Sequence, residues 1–164
     1  IEVEKQFPNC DFVIAGVDAL GKDFYHSFLK HSNIRVVFNK TYELFDEADA
    51  ALVSSGTATL ETALFNVPQV VCYQTSWFSF KIAQLLVAIK YISLVNLISD
   101  KEVVKELIQD DLTVVNMVAE LKKILSPAHK THMLQQYAEL RTLLGGEGAS
   151  ERVAKSIYNH SSNS

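Results

Sequence analysis

Four short apolar runs constrain this chain more than any other feature. They are DFVIA at Asp11–Ala15, IRVVF at Ile34–Phe38, ADAALV at Ala48–Val53 and QVVCY at Gln69–Tyr73. All lack apolar–polar alternation and most are rich in Val and Ile, so each reads as a strand that needs cover on both faces. Stretches of helical pattern separate them: Phe24–Lys30, Thr41–Glu47 with Thr41 as N-cap, Thr57–Phe65 and Trp77–Ala88. Buried strands alternating with such helices build a parallel sheet. Pro68 fits the entry to the fourth strand, and Tyr91–Leu94 reads as a further short apolar strand. From Lys101 on the pattern is nearly all helical, punctuated by Pro127 and Gly145–Gly146 into at least three helices. The predicted fold is α/β, a parallel sheet with helices on both faces over residues 1–110 and a C-terminal helical extension over 111–164 packed on it.

Composition narrows the function classes. The chain has 164 residues, 48% hydrophobic and 21% charged, enough for one ordinary domain with a true core. Two cysteines, Cys10 and Cys72, do not make a disulfide scaffold and read as buried free thiols in a reducing cytoplasm. No run of 18 or more apolar residues occurs, so no spanning segment is expected, nor a secretory signal. A net charge of −4 argues against a nucleic-acid binder, and any anionic ligand must be held by local donors. The chain opens on Ile1 within a helix-like stretch, IEVEKQF, and a piece of a longer protein is expected.

In an open parallel sheet, ligands sit at the carboxyl ends of the strands. Gly16–Asp23, GVDALGKD, follows the first strand and nearly spells the phosphate loop GxxxxGK, but Asp23 stands where that loop needs a Ser or Thr for magnesium. The competing reading is a glycine-bearing turn into a helix. Ser54–Glu61, SSGTATLE, is the most informative stretch. Ser54, Ser55 and Gly56 allow close backbone approach. Thr57 opens a helix whose free N–H groups favour a phosphate, and the Ser55 and Thr57 hydroxyls add donors. Glu61, one turn on, can accept from two vicinal hydroxyls such as those of a ribose. An N-cap on a packed helix explains the same residues. His129 and His132 lack a third ligand nearby and read as an exposed pair. Gly145–Gly148, GGEG, follows a helix and reads as a helix break, with Gly148 or Ser150 capping a last helix, Glu151–Tyr158.

SSGTATLETALFNVPQVVCY, then KYISLVNLISDKEVVKELIQD, and GASERVAKSI near the end resemble the lipid-A-disaccharide synthases, bacterial glycosyltransferases of the two-domain GT-B type. The resemblance is strongest over Asp49–Gln109; SGTATLE alone is shared in looser form with other GT-B enzymes. It implies the C-terminal, Rossmann-like half, which binds the nucleotide sugar. The family transfers 2,3-diacylglucosamine from UDP-2,3-diacylglucosamine to 2,3-diacylglucosamine 1-phosphate (lipid X), releasing UDP. Carried over, Ser55, Gly56 and Thr57 would face the pyrophosphate and Glu61 the ribose. The backbone around Phe38, Asn39 and Lys40 would meet the uracil edge. Tyr73 and Asn96 would sit at strand ends facing the cleft, Asn96 as a contact to the sugar. Glu102 and Gln109 would fall in the family's helical block that follows. No general base is assigned to this chain, because the family's candidate acids lie in the N-terminal half, and neither metal nor cofactor is expected. The alternatives are another GT-B UDP-sugar transferase or epimerase domain, or a non-catalytic phosphate-binding module.

The resemblance also implies partners: both lipid-linked sugars, the N-terminal half of the same enzyme and the inner-membrane surface, with a peripheral bacterial cytoplasmic location and no nucleic acid. Trp77–Ile98 is apolar enough to contact acyl chains, or else to serve as a core helix. It carries Gln84, Leu85 and Ala88 where the family is more basic, Gln74 where an arginine is common, and Val95 where a proline is common. These departures weaken the case for an arginine on the phosphate. Helix faces left uncovered by the other half invite homodimerisation.

Overall fold

Each Val- and Ile-rich run forms a strand, and each intervening stretch that the structure describes forms a helix. The structure, a computed structural model, describes residues 1–30, 32–54, 56–75 and 90–145. β1 (Val13–Gly16) leads to α1 (Gly21–Phe28), β2 (Arg35–Phe38) to α2 (Thr41–Glu47), and β3 (Ala51–Val53) to α3 (Thr57–Leu64). Next come β4 (Gln69–Tyr73), α4 (Leu94–Ser99), β5 (Lys105–Ile108), α5 (Val114–Ile124) and α6 (Pro127–Leu143). The predicted helices Trp77–Ala88 and Glu151–Tyr158, with the GGEG glycines beyond Gly145, lie outside the described residues.

Among the described residues all pairings are parallel, as the apolar runs predict, but their hydrogen bonds form two sheets where one was expected. β1 pairs with β2, from Val13↔Arg35 to Gly16↔Phe38. β4 lies between β3 and β5, in register Ala51↔Gln69 on one side and Val70↔Lys105 on the other. The three-stranded sheet owns the core. Val70, Val71, Val95 and Val104 have no exposed surface, and Ala63, Leu107, Leu121, Ile124, Met133, Tyr137 and Leu140 close around them. α5 and α6 thus share one core with β4. Among described residues from Glu4 to Leu52, by contrast, none is buried. Phe7 and Phe12 reach the core only as partly buried neighbours.

Three local expectations are corrected. Thr41 is the first helical residue of α2 and Lys40 is its N-cap, with no side-chain capping bond. Tyr91–Leu94 is not a strand. Ser93 caps α4 through its hydroxyl, which accepts from Asn96 N. The Glu106 carboxylate accepts from the Ile92 and Ser93 amides, donors a ladder would have used. The region after Lys101 is not all helix, because KELI forms β5. That strand sits at the sheet edge with only Leu107 buried, so it carries two charged residues and never shows the apolar run that marked the others.

Asn96 ties these corrected elements together. Its Oδ1 accepts from Val103 N at 2.8 Å and Val104 N at 3.0 Å. Its Nδ2 donates to Val104 O at 2.8 Å and to Glu106 Oε1 at 2.9 Å. That fills the amide's capacity of two donors and two acceptances. Asn96→Ala leaves these partners buried without replacement and is expected to lower unfolding stability by about 3 kcal/mol or more. Urea unfolding followed by circular dichroism checks this, and a loss below about 1 kcal/mol would show that water takes the amide's place.

Candidate functional site at the carboxyl edge of the sheets

Parallel strands bring their carboxyl ends to one edge, here Val53, Tyr73 and Ile108. The β3 turn passes through Ser54 to Gly56; Ser55 lies outside the described residues. Gly56 has φ 113° and ψ −157°, a backbone open to glycine and strained for any other residue. A Cβ there would meet nothing within 4 Å, so the glycine serves the chain path and leaves open space. It is the N-cap of α3 and supplies no side-chain cap. Thr59 N bonds Gly56 O at 3.2 Å, and the Thr57 and Ala58 N–H groups stand without a partner among the described residues at the positive end of the helix. Gly56 and Thr57 are exposed. Glu61 is half-buried one turn along, and its carboxylate has no hydrogen bond or ion pair to another described residue.

The other candidates fall into three groups. Phe38 ends β2, and Asn39 and Lys40 follow it, at the carboxyl end of its own sheet. Asn39 turns the chain in the left-handed region at φ 57°, and its Nδ2 donates to Asp18 Oδ2 at 2.5 Å. Glu43 beside Lys40 holds that ammonium above its usual range. The Phe38 ring lies edge-on to Tyr25, whose hydroxyl accepts from Val17 N. Tyr73 and Gln109 close β4 and β5. Gln109 is not helical in the expected way but sits just past β5 in a 3-10 turn at φ 50°. Its amide accepts from Thr75 N at 2.8 Å and donates to Thr75 O at 3.0 Å, so it clamps the loop after β4.

Glu102 and Asn96 do not join this edge. Glu102 precedes β5, at the opposite end of the strand from Gln109, and pairs with Lys105 at 3.4 Å. Asn96 lies on α4, not at a strand end, and is fully buried in the bonds described above. Sequence reasoning missed Asp18, which fixes Asn39, and Glu106, which collects four donors from Ile92, Ser93 and Asn96. No motif announces Glu106; its one signal is a charge inside KELI beside a buried Leu107.

The remaining readings settle into structural roles. His129 Nδ1 lies 3.0 Å from Ser126 Oγ, and His132 Nε2 lies 2.7 Å from Gln136 Nε2; both histidines are exposed. No group of three or more His, Cys, Asp and Glu side chains that could hold a metal occurs among the described residues. Nor does any helix there have the length and apolarity to cross a membrane. The GVDALGKD turn starts α1 at Gly21, with Lys22 and Asp23 exposed. Cys10 is exposed, against expectation, because it lies outside β1; Cys72 is half-buried inside β4. A cleft of about 220 Å³ between β5 and α5, lined by Lys105, Leu107, Asp111, Asn116, Ala119 and Glu120, holds none of the candidates.

Comparison with known proteins gives a consistent result. A family model described as lipid-A-disaccharide synthetase matches residues 1–158. The lipid-A-disaccharide synthase of Anaeromyxobacter dehalogenans strain 2CP-1 is 35% identical over 154 residues, 92% of this chain and 40% of that protein. That of Syntrophus aciditrophicus is 40% identical over 122 residues, 74% of this chain and 32% of that protein. That of Psychromonas ingrahamii is 34% identical over 146 residues, 87% and 38% of the two chains. The chain thus spans about two fifths of the length of the relatives it matches.

Two outcomes follow from this geometry. A Cβ on Gly16 would sit 2.7 Å from Phe38 Cε1 and 2.8 Å from Val36 Cγ1. Gly16→Ala is therefore expected to cost about 1–3 kcal/mol in thermal unfolding and to displace the Phe38 ring, visible as a changed near-ultraviolet spectrum. Burial pushes the Cys72 thiol up to about 11. Folding disfavours its thiolate, so this contribution to stability is whole below pH ~9 and declines between pH ~9 and ~11. At pH ~8, alkylation of Cys10 should outrun that of Cys72 by about a hundredfold or more; equal rates would contradict the burial.

Proposed function

Because this chain belongs to the lipid-A-disaccharide synthase family, bacterial glycosyltransferases of lipid A biosynthesis, we propose that it is the part that grips the nucleotide of the sugar donor. The donor in this reading is UDP-2,3-diacylglucosamine and the acceptor is 2,3-diacylglucosamine 1-phosphate. The observation that carries it is the uncapped N-terminus of α3 beside the open space at Gly56, with the unpaired Glu61 carboxylate on the same helix face.

In the reaction, the bond from the sugar's anomeric carbon to the β-phosphate oxygen of UDP breaks. A bond to the acceptor hydroxyl forms with inversion, and the acceptor's proton passes to a base in the remainder of the enzyme. Negative charge then grows on the departing diphosphate. The amides opening α3, with Ser55 and Thr57, stabilise it where it develops, with no reorganisation needed at that moment. Glu61 accepts hydrogen bonds from the two ribose hydroxyls, which orients the nucleotide and selects against a deoxyribose. The turn Phe38–Lys40 meets the uracil edge, and Tyr73 borders the sugar. Gln109 acts behind this layer by holding the loop at Thr75, while Asn96 and Glu102 lie away from this edge. On its own the chain binds donor without turning it over. Since both sugars carry acyl chains, the whole enzyme works at the inner-membrane surface as a peripheral protein.

Calorimetric titration tests this reading. UDP should bind more tightly than UMP or ADP, and Glu61→Ala should weaken UDP by about 10- to 100-fold, the range for hydrogen bonds to a charged group. Equal affinity for UDP and ADP would remove the uracil assignment. A folded Glu61→Ala variant that binds UDP like the parent would remove the ribose assignment.

A further inference from the structure

We propose that Gln69, backed by Tyr137, is a positioning residue that holds the first turn of α3 in register for a nucleoside diphosphate. This rests on the reading of α3 given above. Gln69 opens β4 with no exposed surface. Its Nε2 donates to Thr59 O at 2.8 Å, in the first turn of α3, and to Tyr137 Oη at 3.3 Å. The Tyr137 hydroxyl in turn donates to Val67 O at 3.3 Å, just beyond the helix. Arg141, one turn along α6, donates to Leu64 O at the last turn. Directional bonds from β4 and α6 thus hold α3 at its beginning and its end.

The face of α3 turned to the core needs such bonds. Its fully buried residues are Thr59, Thr62 and Ala63, small side chains that offer little ridge for a neighbour to lock against, and Leu60 is the one larger side chain of α3 packed, partly buried, against the core. The two threonine hydroxyls bond back to their own helix, at Gly56 O and Ala58 O, so they give no purchase either. Apolar packing alone would let α3 slide along its axis, and its amide donors with it. One detail separates positioning from plain packing. The Gln69 Oε1 atom is buried with no hydrogen-bond partner. The carbonyl of Thr59 dictates which end of the amide faces it, so Oε1 is left unsatisfied. A buried acceptor of this kind destabilises the fold, and a space-filling Met or Leu would avoid the loss. A residue that lowers stability while fixing geometry fits a functional role.

The test is Gln69→Met, close in size and free of hydrogen bonding. The melting temperature is expected to stay level or rise, while UDP affinity falls about fivefold or more and affinity for the free base uracil holds, since the uracil turn lies on the other sheet. Tyr137→Phe should lower UDP affinity in the same direction by a smaller factor. Amide hydrogen exchange without ligand should speed up at Leu60 and Glu61 but not at Val70 or Val71 in the Gln69 variant. If the parent chain binds no UDP, the nucleotide reading fails, and the exchange measurement still decides whether Gln69 fixes α3. Unchanged exchange and unchanged UDP affinity would falsify the inference. So would an affinity loss that only tracks a lowered melting temperature, because that is what a merely structural residue does.

Discussion

The side-chain amide of Asn96 is the joint on which the second half of the described chain depends. It satisfies two amides and one carbonyl of the turn at Val103–Val104 and one oxygen of Glu106. Glu106 then grips the backbone at Ile92 and Ser93. A helix, a turn and an edge strand are thereby fixed by one polar cluster inside an otherwise valine-rich core. Such a cluster tolerates no partial version, since each group it satisfies would cost more unpaired than its bond contributes when made. The stretch SLVN…VVKE can be understood in these terms: its Ser93, Asn96 and Glu106 are one another's partners.

That cluster marks how far the sequence could be read. β4 and α2 match their predicted bounds, and β1, β2, β3 and α3 fall within a few residues of theirs; in β4 alone does the unbroken apolar run correspond to burial on both faces. β5 was illegible since an edge strand needs only one buried residue, Leu107. Asn96 was legible as important but misread in role: a buried amide reads the same whether it serves a ligand or a backbone. Within the site, Gly56 and Thr57 stand at the helix start where the glycine and threonine implied it. Glu102 was misplaced because its position depends on a strand that the charges concealed. The division into two sheets had no signature at all, as pairing between strands is not written in any one of them.

α3 shows a related economy. It must present its amino end with some accuracy, yet the residues it buries fully are two threonines and an alanine, with Leu60 its one larger contact to the core. Here the hydrogen bonds from Gln69, Tyr137 and Arg141 supply what side-chain bulk does not. Burial pushes the Tyr137 phenol well above its usual range, which keeps this hydroxyl a donor through the neutral range.

The uneven distribution of the core has a consequence for how a ligand would experience this surface. Among described residues from Glu4 to Leu52 none is buried, whereas Val70 and Val71 of β4, with Val95 and Val104, have no exposed surface. Regions without buried contacts open at a small fraction of the global unfolding free energy. The turn after β2 and the start of α3 therefore belong to parts of very different stiffness. A molecule touching both would meet a firm anchor at one end and a yielding one at the other. Its residence time would follow the opening rate of the softer layer. Tightening that layer would slow release without adding a single contact to the ligand.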